Sequence, residues 1–115
     1  MRNQLLVETV EALRRLSEET GRPLWRALAD ELDKPKRRRV SVNLSRIQRH
    51  LGEGEVAAVP GKVLASGTLT KPVKVAAYAF SEAAREKILE SGGEALGLLE
   101  LASSDVEPSK IRIIK

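Results

Sequence analysis

The chain has 115 residues, 42% of them apolar, with no cysteine and a formal charge of +4 at neutral pH. This length suits one domain that buries roughly 60–70% of its unfolded surface, so a single domain over residues 1–115 is expected. Without cysteine, disulfides and thiolate metal sites are excluded, and no apolar run reaches the ~18 residues of a membrane span. The expectation is a soluble, cytoplasmic protein with no membrane partner.

The positive charge is unevenly placed. Residues 1–50 carry 12 Lys and Arg against 7 acids, and residues 51–115 carry 8 against 9. A basic half on a foldable chain favours a polyanionic partner, usually nucleic acid. The scarcity of Asn, Gln, Met and Cys also suits a thermophile.

From Asn3 to Thr20, Leu6, Val10, Leu13 and Leu16 recur at helical spacing, and Gly21 ends the run. Pro23 suits a first helical turn, after which Leu24, Leu28 and Leu32, joined by Trp25 and Ala29, form a second stripe up to Pro35. The two stripes predict a helical hairpin over residues 1–34, with Trp25 read as core.

Residues 35–41 form a basic connector containing Lys36, Arg37, Arg38 and Arg39. Mutual repulsion predicts that 35–40 are mobile or irregular without a partner. An α/β core is expected over 42–115. It opens with Asn43 as the side-chain cap of a helix whose Leu44, Ile47 and Leu51 face inward, leaving Arg46, Arg49 and His50 outside.

Beyond Gly54, short apolar segments alternate with turn signals. Pro60-Gly61 suits the centre of a type II turn and predicts a change of chain direction, placing Lys62 beside a turn, with Lys71 and Lys74 beside Pro72. Val73 to Phe80 reads as a buried strand, Ser81 as the cap of a helix ended by Gly92-Gly93, and Ile111-Arg112-Ile113 as a last strand.

Catalytic and cofactor motifs fail on spacing. Six residues separate Gly54 from Gly61-Lys62 where a phosphate loop has four, and Val63 replaces its Ser or Thr. Gly52-x-Gly54-x-x-Ala57 follows a basic helix where a dinucleotide fingerprint follows a strand. One histidine, His50, has no nearby acid to orient it, so no enzyme, catalytic residue, cofactor, metal or small-molecule substrate is expected.

The basic residues remain. Arginine forks suit phosphate, and three of them run directly into a helix bearing two more, although a Lys/Arg cluster is also a common solvated loop. The candidate RNA-binding set is Lys36, Arg37, Arg38, Arg39, Asn43, Arg46, Arg49, His50, Lys62, Lys71 and Lys74.

The segments Val42-Asn43-Leu44-Ser45-Arg46-Ile47, Val59-Pro60-Gly61-Lys62-Val63-Leu64 with Gly67, and Val75-Ala76-Ala77 through Phe80-Ser81-Glu82-Ala83-Ala84 to Gly92-Gly93 occur in a familiar order. They resemble the archaeal and eukaryotic large-subunit ribosomal protein family eighteen-e, a relative of the bacterial large-subunit protein fifteen. The compact length is similar to the archaeal members. The resemblance covers most of residues 4–114 and implies a non-catalytic constituent of the large ribosomal subunit. Its implied partners are large-subunit ribosomal RNA and neighbouring ribosomal proteins, and its implied fold is α+β, with helices preceding an irregular ββα superhelix. The alternative is a non-ribosomal interaction module that docks through the helical hairpin.

Overall fold

The structure, a computed structural model, describes residues 4–115, with Lys36 described by its backbone alone. The expected helix start at Asn3 lies outside the described residues. The fold is α+β: a helical hairpin and further short helices packed on a five-stranded sheet whose pairings are all parallel.

The hairpin consists of α1 (Gln4–Thr20) and α2 (Pro23–Leu32). Its stripes are buried as their spacing demands, with Leu6, Val10, Leu13, Trp25, Leu28, Ala29 and Leu32 all sequestered. Leu28 has no exposed surface, so Leu28→Ala should cost about 2–5 kcal/mol in chemical unfolding. A cost below about 0.5 kcal/mol would place Leu28 outside the core.

The sheet strands are β1 (Val40–Asn43), β2 (Val56–Leu64), β3 (Lys74–Phe80), β4 (Glu94–Gly97) and β5 (Ile111–Ile113). β3 runs along one edge of β2. β5 pairs with residues 56–58 on the other edge and β1 with residues 61–64. Each of β2 to β4 lies parallel beside the strand before it, so the chain winds across the sheet before β5 returns to β2.

Two cores flank the sheet. Val56, Ala58, Ala76, Leu98 and Ile111 meet the hairpin and α5 (Leu98–Ala102). Val42, Ala57, Val59, Val63, Val75 and Ala77 meet α3 (Leu44–His50) and α4 (Glu82–Glu90) through Leu44, Ile47, Ala84 and Ile88. Burial on both faces explains why the central strands are apolar without alternation. Ser81 caps α4 as expected, its hydroxyl accepting from Ala84 N at 3.1 Å.

Pro60-Gly61 corrects the sequence reading: the pair lies inside β2 and does not form a turn. It sits where the β2–β3 register shifts between Val59 and Lys62, and a bulge accommodates a proline that cannot donate to the ladder. Gly61 is required for a different reason. A Cβ there would stand 2.0 Å from Val40 O, so glycine lets β1 close on β2.

The basic connector holds one short turn. Lys36–Arg38 form a 3₁₀ turn closed by Arg38 N donating to Pro35 O at 2.8 Å, and β1 already begins at Val40. The basic run therefore joins α2 to the sheet through this turn.

Candidate nucleic-acid interface

The approach of β1 to β2 determines where the arginines lie. Arg37 and Arg38 are exposed and have no ion-pair partner among the described residues. Arg39 is half-buried, and its Nε donates to Lys34 O at 3.2 Å, which orients the guanidinium and leaves its terminal nitrogens available.

One step along the sheet, Ser41 pairs in register with Lys62, and Lys62 with Ala79 of β3. Their neighbours Val42 and Val63 point into the α3/α4 core, so Ser41 and Lys62 point to the hairpin side. At these strand ends the hairpin does not cover them, and both are exposed. Arg39, Ser41, Lys62, Gly61 and Tyr78 line a recess of about 240 Å³ there. The structure thus brings Arg39 and Lys62 together and adds Ser41 and Tyr78, which the sequence reading missed. Period-two alternation from Val40 to Asn43 is the signal that could have placed Ser41 opposite the core.

The third helix presents Arg46, Arg49 and His50 to solvent as expected. Arg46 donates to Lys115 O at 3.0 Å. Asn43 occupies the cap position of α3, but its side chain makes no cap hydrogen bond. Instead Asn43 Oδ1 accepts from Ser66 N at 3.2 Å, so the expected capping role is replaced by a tether on the β2–β3 crossover.

That crossover, residues 65–73, joins two parallel strands without a helix, so its backbone groups need side-chain partners. Gln48 supplies them: Oε1 accepts from Thr70 N at 2.5 Å and Nε2 donates to Thr68 O at 3.1 Å. Lys87 Nζ donates to Ala65 O and Gly67 O, and Lys71 Nζ to Leu51 O at 2.8 Å. Gly67, at φ +102°, fits where a Cβ would meet Ser45 Cβ at 2.5 Å. Gln48→Ala should leave α3 folded and speed amide exchange at Thr70 by about tenfold or more, as roughly 1–2 kcal/mol of local bonding is lost. Unchanged exchange there would show that the loop is held by other contacts.

Lysines 62, 71 and 74 do not converge. Lys71 is committed to the α3 terminus, and Lys74 pairs with Glu94 at 3.6 Å at the opposite ends of the strands from Lys62. Other cations are also neutralised internally. Arg14 meets Asp33 and Asp30, Arg112 meets Glu55, and Glu31 binds both Lys115 and Lys34. The hydrogen bond from Lys115, then that from Lys34, holds the Glu31 carboxyl below the usual carboxylate range, and Arg112 does the same for Glu55. Arg37, Arg38, Lys62 and Arg49 are exposed and have no ion pair among the described residues, as is also true of Arg15 and Arg22 on the hairpin.

Among the described residues, no group of three or more His, Asp or Glu could hold a metal ion, and no helix is long and apolar enough to cross a membrane. The arrangement places Arg37, Arg38, Arg39 and Lys62 at one end of a parallel sheet, and guanidinium and ammonium groups so placed are chemically suited to anions.

Comparison with known proteins gives the family. The chain is 41% identical to the large ribosomal subunit protein eL18 of Archaeoglobus fulgidus over 112 residues, covering 97% of this chain and 96% of that protein. It is 41% identical to eL18 of Methanothermobacter thermautotrophicus, over 98% of this chain and 93% of that one. The Halobacterium salinarum eL18 is 39% identical over 96% of this chain and 94% of its own length. Residues 24–96, from the second helix of the hairpin through β4, match the family described as ribosomal proteins 50S-L15, 50S-L18e and 60S-L27A. The chain belongs to that ribosomal protein family.

Proposed function

We propose that this protein is an architectural constituent of the large ribosomal subunit on the cytoplasmic ribosome, and that it binds ribosomal RNA through the surface carrying Arg37, Arg38, Arg39 and Lys62, extended by Arg46, Arg49 and His50 on α3. The observation that carries this reading is the clustering of cations at one end of the sheet: Arg39 and Lys62 line one recess, Arg37 and Arg38 directly precede Arg39, and Arg37, Arg38 and Lys62 are exposed, whereas Arg14, Lys74, Arg112 and Lys115 are paired with carboxylates of the chain itself.

The mechanism is electrostatic and geometric. Arginine and lysine neutralise phosphates and release counterions, while the sheet, the crossover and α3 hold the charges at fixed positions that match folded RNA. With only Trp25, Tyr78 and Phe80 as aromatics, a platform for a run of stacked bases is not available. Neighbouring ribosomal proteins are further partners, and no catalytic role is proposed.

Sedimentation tests the reading. In an extract from the source organism, the protein should travel with the large subunit and leave it only at high salt. Recovery entirely in the soluble fraction would instead support an interaction module that docks through the hairpin.

A further inference from the structure

Three recesses lined by described residues set cations beside carboxylates. Lys74 and Lys110 share theirs with Glu55, Glu94 and Glu107, and Arg14 and Arg26 face Glu18 and Asp30. Lys87 lies with Glu90. The recess between Arg39 and Lys62 has two cations in its wall and, among the described residues, no carboxylate.

Its remaining walls are not those of a simple phosphate site. Val40, Ala79 and the half-buried Tyr78 give it apolar sides, and Ser41 adds a hydroxyl that can both donate and accept. At about 240 Å³ it falls below the roughly 300–1,000 Å³ typical of pockets for drug-sized ligands. The combination of flat apolar wall, hydroxyl and paired cations, on the scale of one residue of a polymer, matches one unpaired nucleotide of RNA.

We propose that this recess accepts a single splayed-out nucleotide of the ribosomal RNA, with a flanking phosphate held by Arg39 and Lys62 and the base laid against Tyr78. The proposal rests on the ribosomal RNA reading above and adds to it a specific seat for one nucleotide. Arg39 reaches that seat because Lys34 O fixes its guanidinium, and Lys62 because the bulge after Val59 sets its place in β2.

The test uses the intact chain and purified archaeal large-subunit ribosomal RNA. Tyr78→Leu keeps apolar volume but removes the flat ring, and should weaken binding roughly 5- to 150-fold. Lys62→Ala should lower the magnitude of the salt slope by about 0.7–0.9, the value of one phosphate contact. A folded Tyr78→Leu variant that binds as tightly as the natural chain overturns the nucleotide seat while leaving the ribosomal RNA reading in place. If Tyr78→Leu does not fold, ultraviolet cross-linking of the natural complex decides. A nucleotide adduct on the Tyr78 or Lys62 peptide supports the seat, and adducts confined to other peptides overturn it. Failure of the natural chain to bind the RNA at all removes both readings.

Discussion

Gly61→Ala should destabilise the protein by at least about 3 kcal/mol, a fall in melting temperature of roughly 10–20 °C for a chain of this size. The added Cβ would lie 2.0 Å from Val40 O and 2.8 Å from Val40 C. Both are backbone atoms, so no side-chain rotation relieves the clash. The strands must separate, and β1 directly follows Arg39 and carries Ser41. RNA binding should therefore fall together with stability although no charge has been removed. A melting temperature within about 2 °C of the natural chain would mean that β1 is not seated on β2 as described.

Replacing Arg37, Arg38 and Arg39 together with Ala should do the opposite, leaving the fold nearly intact and weakening RNA binding severely. Arg37 and Arg38 are exposed with no ion pair among the described residues, and Arg39 contributes one exposed hydrogen bond, to Lys34 O. The expected stability change is about 1 kcal/mol or less. If each arginine neutralises one phosphate, the salt slope should drop by about 2 in total and affinity near 0.1 M salt by roughly a hundredfold. Unchanged affinity and slope would mean that the basic run is solvated charge.

These two experiments separate position from charge, which is also where the sequence stopped being informative. Hydrophobic spacing was enough for the hairpin, because Leu6, Val10, Leu13, Leu28 and Leu32 are buried by a periodicity that any helix shares. Ser81 was legible as a cap because its partner, Ala84 N, is three residues away. Pro60-Gly61 misled because both residues are ordinary turn formers, while the reason for glycine, the carbonyl of Val40, is remote in the chain.

Asn43 was misread for a related reason. Capping is a local rule, but its carboxamide meets Ser66, 23 residues on. Gln48 carried no motif at all, although it holds the crossover at both Thr68 and Thr70. The candidate surface was legible as a list of cations and illegible as an arrangement. Which lysine is free depends on whether a carboxylate or carbonyl lies beside it, as for Lys74 with Glu94 and Lys71 with Leu51 O, and strand register decides that Lys62 is free.

The most direct test of the claim that a folded surface meets the RNA is an electron cryomicroscopy reconstruction of the assembled large subunit containing this chain. The account predicts that the end of the sheet bearing Arg37, Arg38, Arg39 and Lys62 faces RNA, with phosphate oxygens about 3 Å from the guanidinium nitrogens. A subunit in which those four side chains point to solvent, while RNA contacts only the outer face of the hairpin, would contradict it.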